Sequence, residues 1–213
     1  MTISNESRGR IKKVFEPIAL GMGRLGLTPD GLTLIGFGIT TVGAILVGLQ
    51  AWVIGGIVVF VGGVFDMFDG TLARATGQVS KLGAFMDSTF DKLGEIIVFL
   101  GIIAGLQGAG AADVPILVAV AAMGASIMVS YTRAKSDGLG FSSGTGMAAV
   151  GIMPREIRLV IISLGIVLAG TGLGLGALQF ALGVVLVGAT ATVIQRILHV
   201  RSQAKAAAQP RSE

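Results

Sequence analysis

An uncharged run, residues 51–65, ends at two carboxylates three apart, Asp66 and Asp69. Past Gly83 a second pair, Asp87 and Asp91, stands four apart, and Glu95 leads into another apolar run. Residues three or four apart share a helix face, so each pair turns both carboxylates the same way. Two such helices side by side bring four acids together. Between apolar runs of membrane length, four carboxylates are strongly unfavourable unless positive charge lies among them. A divalent cation is the simplest source of that charge. Buried ion pairs with Arg74, Lys81, Lys92 and Arg133 are the alternative, though they leave the spacing unexplained.

The rest of the chain supports a bilayer as the solvent. Only 13% of the residues are charged, against about 25% in a soluble domain, and mean hydropathy is +0.85. The 34 glycines suit closely packed membrane helices. With no cysteine, disulfides and thiol chemistry are excluded. The net charge of +4 fits cytoplasmic loops and anionic headgroups. No aromatic and basic platform points to nucleic acid.

Residues 1–7 are polar and do not form a signal peptide. Over 8–27 the apolar residues Ile11, Val14, Phe15, Ile18, Ala19, Met22 and Leu25 recur at helical spacing among Arg8, Arg10, Lys12, Lys13 and Arg24. The pattern predicts an interfacial amphipathic helix, kinked at Pro17. Thr28, Pro29 and Asp30 end it and start the next. Six apolar segments follow, at 32–50, 52–75, 82–106, 113–136, 155–176 and 178–200, each near the ~20 residues needed to span a bilayer. The expectation is an all-α integral membrane protein, one domain over 1–213, with six transmembrane helices in a bundle over 28–202. A polar tail covers 203–213.

The turns after the first, third and fifth segments hold no Lys or Arg, so the 16 basic residues gather towards the other side. The positive-inside rule then puts both termini in the cytoplasm of a multi-pass cell-membrane protein. From its outer end, Asp66 lies about 22 Å along the second helix, and Asp87 and Asp91 lie about 8–14 Å in from the cytoplasmic face on the third. The two pairs reach comparable depths. Glycines such as Gly38, Gly43, Gly48, Gly55, Gly56, Gly62, Gly63, Gly101 and Gly105 suit close packing inside the bundle, with a dimer face as the alternative. His199 reads as an interfacial residue rather than a ligand.

The acidic stretch, D-x2-D-G-x2-A-R-x8-G-x3-D-x3-D from Asp66 to Asp91, resembles the signature of the CDP-alcohol phosphatidyltransferase family at every fixed position. The resemblance implies a six-helix membrane enzyme, usually homodimeric. Such an enzyme moves a phosphatidyl group from CDP-diacylglycerol to an alcohol and releases CMP. It also implies Mg2+, with Mn2+ as a substitute, as two ions on Asp66, Asp69, Asp87 and Asp91, and Asp91 as the base. The residue types suit that chemistry. A diphosphate among carboxylates needs metal between the like charges. Gly70 and Ala73 leave room for a nucleotide, and Arg74 offers a fork to the diphosphate. Asp30, Thr33 and Ser80 are the further nucleotide candidates, with helix capping as their simpler explanation.

For the acceptor, Arg133 and Lys135 end the fourth segment, Arg155 and Arg158 begin the fifth, and Arg196 lies near the end of the sixth. Such cations suit an acceptor that already carries a phosphate, or they snorkel to lipid headgroups. Lys135, Arg155 and Arg196 match positions that hold inositol phosphate in the phosphatidylinositol-phosphate branch of the family, with Arg133 beside them. One departure stands at 154–158, where Pro-Arg-Glu-Ile-Arg replaces the branch's usual Glu-Arg-Pro-Glu-Arg. The expected acceptor is inositol 1-phosphate, with glycerol 3-phosphate as the alternative. An archaeal source would imply an ether-linked donor. An ion-coupled transporter and a non-catalytic lipid-binding scaffold are readings from other classes.

Overall fold

Thr28 sets the start of the first long helix: its hydroxyl accepts a 3.1 Å hydrogen bond from the Gly31 N–H, and Pro29 fills the first turn. The computed structural model describes residues 16–141, 147 and 150–207. Among these there are helices and turns but no strand. Helix α1 covers 16–24. It is followed by α2 (Pro29–Gly48), α3 (Trp52–Phe65), α4 (Met67–Thr76), α5 (Lys81–Gly108), α6 (Asp113–Gly138), α7 (Arg155–Ala169) and α8 (Leu175–Ala207).

The segment expected as one helix over 52–75 is interrupted at Asp66, which ends α3 and opens α4. Helix α7 stops at Ala169, well short of 176. Its 15 residues span about 22 Å, less than the ~30 Å of hydrocarbon. A turn with Gly174 at φ +63° follows it. Four helical stretches are long and apolar enough to cross a membrane: α2, α3 with α4, α6 and α8. Helix α5 has the length, but its acids dilute its apolar character. Helix α8 continues to Ala207, into the stretch expected as a polar tail. Of the amphipathic helix expected over 8–27, residues 8–15 lie outside the described residues, as do 1–7 and 208–213. Within 16–24, Ala19 is fully buried against Leu32, Phe68 and Leu72, with Met22 beside them, while Ile18 of the same expected face is 46% exposed.

The neighbour relations close into a ring. Helix α2 packs on α3 and α5, α3 on α7, α7 on α8, α8 on α6, and α6 on α5. Helices α5 and α7 therefore stand on opposite sides of it. Glycine lets these backbones meet. A Cβ on Gly43 would lie 2.7 Å from Val59 N, one on Gly55 would lie 2.8 Å from Val47 N, and one on Gly101 would collide with the Ala44 carbonyl. Gly36, Gly48, Gly56, Gly62, Gly63 and Gly105 likewise abut other helices, whereas Gly38 faces open space. The outer faces stay apolar, with Ile45, Ile54, Leu117, Phe180 and Val187 each at least half exposed. So broad an apolar exterior is lipid-facing surface.

Candidate active site

Asp66 sits at the α3–α4 interruption, where α2 passes close because position 36 is glycine; a Cβ there would lie 3.3 Å from Asp66 N. One turn on, Asp69 is held by two donors: the Thr33 hydroxyl reaches Oδ2 and the Gly70 N–H reaches Oδ1. Both acids are buried, 8% and 5% exposed. From α5, Asp87 completes a group in which one oxygen of each of Asp66, Asp69 and Asp87 lies within 4.8 Å of the others. Three convergent carboxylate oxygens, two of them buried, form a donor set that fits a hard divalent cation.

Asp91, expected in the same set, is placed differently. Its Oδ2 pairs with Lys92 Nζ at 2.7 Å and its Oδ1 with Arg155 Nη2. Arg155 also reaches Asp66 Oδ2 through Nη1 at 2.8 Å. The positive charge at the acids thus comes from Arg155 and Lys92; neither Arg74, Lys81 nor Arg133 makes an ion pair with these four acids. A cavity opens beside this cluster, with Asp66, Asp91, Glu95 and Arg155 on its polar wall. Phe37 and Phe90 line it too, edge to face with ring centroids 5.1 Å apart.

The nucleotide candidates gather nearby. Ser80 caps α5, its hydroxyl accepting from Gly83 N–H at 2.9 Å. A Cβ on Gly83 would lie 3.0 Å from that hydroxyl oxygen and 3.3 Å from Asp30 Oδ1. The glycine of the signature therefore lets Asp30 and Ser80 approach the same backbone. Arg74 is exposed and folds back over Gly70, where a Cβ would stand 3.2 Å from its Nη1. Ala73 is half-buried on the same helix.

The expected acceptor cations divide. Arg155 meets the acids. Arg196 is 5% exposed and donates to the Val150 carbonyl at 3.0 Å and to the Val129 carbonyl, tying α8 to α6 and to the segment before α7. Arg133 is exposed and pairs with Asp137 at 3.8 Å, and Lys135 is exposed. Arg133 remains close enough for its charge to act on Arg196. Arg158 leaves the group altogether. It is 1% exposed and grips Glu95 with Nε and Nη2, at 3.0 and 3.2 Å, while Nη1 donates to the Met153 carbonyl at 3.1 Å. Sequence reasoning missed this pair. Its signal was present: Glu95 is one turn from Asp91 and Arg158 one turn from Arg155. His199 lies beside Gln203, 3.0 Å away, on the last turns of α8.

Residues 26–195 match the family model for CDP-alcohol phosphatidyltransferase. The archaetidylinositol phosphate synthase of Pyrococcus horikoshii is 37% identical over 155 residues, 73% of this chain and 77% of that protein. The phosphatidylinositol phosphate synthase of Streptomyces avermitilis is 31% identical over 207 residues, 94% of this chain and 83% of that one. A crystal structure of the Mycobacterium tuberculosis phosphatidylinositol phosphate synthase with CDP-DAG bound superposes with a TM-score of 0.78 at 28% identity, covering 88% of this chain and 94% of that one. The same mycobacterial enzyme in complex with manganese and citrate gives 0.77 at 29% identity, covering 88% and 89%. The carboxylate group, its setting in an apolar helical ring and these matches lead to one assignment: this membrane protein belongs to the CDP-alcohol phosphatidyltransferase family and is an enzyme of that class.

Proposed function

We propose that the enzyme transfers the phosphatidyl group of CDP-diacylglycerol to the hydroxyl of inositol 1-phosphate, giving phosphatidylinositol phosphate and CMP. One observation carries this reading: Arg155, the arginine assigned here to the acceptor phosphate, is seated directly against the carboxylates Asp66 and Asp91. A phosphate held by that guanidinium brings its alcohol to the acid cluster. The names of the relatives, an archaetidylinositol phosphate synthase and a phosphatidylinositol phosphate synthase, support the same acceptor. An ether-linked donor would undergo the same reaction, because the bonds made and broken lie at the diphosphate.

Asp66, Asp69 and Asp87 are the residues that would hold Mg2+ or Mn2+, with Asp91 joining them for a second ion. Such an ion screens the diphosphate from the carboxylates and acidifies a nearby hydroxyl. The remaining work falls to the chain. Asp30, Thr33 and Ser80 line the nucleotide's approach, Gly70 and Ala73 leave it space, and Arg74 swings from Gly70 to the diphosphate. Arg155 takes the acceptor phosphate, with Arg133, Lys135 and Arg196 around it. That exchange releases Asp91 from Arg155, and its carboxylate accepts the proton of the attacking hydroxyl. The new bond forms to the phosphorus bearing the diacylglycerol, the bridging P–O bond breaks, and CMP leaves with the electron pair.

The ring is read as six spans, α3 with α4 as one and the short α7 as another, preceded by an interfacial α1. The basic ends of α4, α6 and α8 and the starts of α5 and α7 then share the cytoplasmic side, together with both termini and the site. A homodimer is expected by family resemblance, to be checked by mass in detergent. The test of the function is the identity of the lipid made from inositol 1-phosphate or glycerol 3-phosphate offered singly. Phosphatidylinositol phosphate as the sole efficient product is expected; efficient phosphatidylglycerophosphate formation would replace the acceptor.

A further inference from the structure

The pair missed by sequence reasoning has a geometry of its own. Helices α5 and α7 lie across the ring from each other, separated by α2 and α3 on one side and by α6 and α8 on the other. Side chains nevertheless bridge them in two rungs one helical turn apart. The upper rung is Asp91 to Arg155, and the lower is Glu95 to Arg158. Lys92 joins the rungs, 2.7 Å from Asp91 and 3.2 Å from Glu95. Arg158 is buried and has a partner for each of its three nitrogens, the third being the Met153 carbonyl just before α7 begins.

A buried ion pair is a poor device for stability alone, because desolvation offsets most of its attraction and an apolar pair of similar volume does as well or better. What it supplies is register. A bidentate guanidinium–carboxylate contact accepts one separation and one orientation, and here it is anchored at both ends. We infer that Glu95 and Arg158 are positioning residues that fix α7 against α5 so that Arg155, one turn away, presents its guanidinium to the acids and to the acceptor phosphate. Arg158 itself is not an acceptor ligand. The inference rests on Arg155 as the acceptor-phosphate residue, the reading given above.

The test compares the parent with Arg158→Lys, Glu95→Gln and the apolar double variant Glu95→Leu/Arg158→Met in detergent. For each, KM for the phosphorylated alcohol the parent uses and KM for CDP-diacylglycerol are measured, together with the melting temperature. The double variant is expected to melt no lower than the parent. Its acceptor KM should rise on the order of tenfold or more, since a displacement of about 1 Å is enough for that, while its donor KM changes little. Because the chain has no cysteine, spin labels placed at the exposed Leu93 of α5 and Val160 of α7 report the distance across the ring without any substrate. One narrow distance is expected in the parent and a shifted or broadened one in the double variant.

An unchanged acceptor KM or an unchanged distance in the double variant would overturn the inference. So would equal rises in both KM values, the mark of a general packing defect. If Arg155→Ala left the acceptor KM unaltered, the reading of Arg155 would fall. The label distances would still show whether the pair sets the register.

Discussion

The two sides of the ring hold charge in different ways. On α4 and α5, acids converge: Asp66, Asp69 and Asp87 point oxygens at one another, and protein groups satisfy them only in part. On α6, α7 and α8, the buried cations are mostly bound to the protein itself, Arg158 to Glu95 and Arg196 to two backbone carbonyls. Arg155 is less buried and bound elsewhere: from the second side it reaches the acids of the first, Asp66 and Asp91. A gathering of like charges is a site awaiting a partner. A charge with a protein partner at every nitrogen, as Arg158 has, is a tie. Residue type alone does not separate the two, and the partners do.

The largest effect that would break this contrast is on the acid side. Asp69→Asn or Asp66→Asn is expected to lower kcat for CMP release on the order of 10²–10³. Each should also weaken Mn2+ binding, read by electron paramagnetic resonance, with the fold kept by circular dichroism. Full activity in either variant would remove the carboxylate group from the chemistry.

On the cation side the two arginines are expected to part company. Arg155→Ala should raise the acceptor KM on the order of 10²-fold, the value of a charge-assisted hydrogen bond worth about 3 kcal/mol, with little change in melting temperature when Mg2+ is present to offset the charge on Asp66 and Asp91. Arg196→Ala removes the donors to the buried Val129 carbonyl and the partly buried Val150 carbonyl, and an unsatisfied buried group costs about 1–3 kcal/mol. A clear fall in melting temperature is therefore expected alongside its kinetic defect. Equal behaviour of the two variants would dissolve the distinction between ligand and tie.

Two smaller changes sharpen the contrast by lying outside both regions. Gly101→Ala drives a methyl into the Ala44 carbonyl on α2 and should destabilise by about 1–3 kcal/mol, with both KM values moving together. Thr28→Ala removes the cap of α2 and should lower stability by about 1 kcal/mol and leave the kinetics alone. A selective change in acceptor KM in either would mean that remote packing mimics the positioning effect.

The acid side was legible in the sequence because its information is local. Fixed spacing on two helices puts Asp66 with Asp69, and Asp87 with Asp91, on shared faces, and apolar flanks announce the depth. The cation side was only half legible. That Arg155, Arg158 and Arg196 lie near the same end follows from the apolar segments. Which of them keeps a free face depends on contacts with Glu95, Met153, Val129 and Val150, between 5 and 67 positions away in the chain. The interruption at Asp66 was hidden for a related reason: the backbone there keeps helical angles, φ −56° and ψ −25°, and no proline or glycine at that position announces it. The short α7 was half legible: the glycines at 170, 172, 174 and 176 mark the turn, but their lack of charge let the apolar segment be carried on to 176.

CMP release by the purified protein, supplied with CDP-diacylglycerol and with either Mg2+ or a chelator, in the presence or absence of inositol 1-phosphate, tests the central claim most directly. Release that requires both the metal and the phosphorylated acceptor is the expected result. Release that persists in the chelator, or none with any phosphorylated alcohol when metal and donor are present, would contradict it.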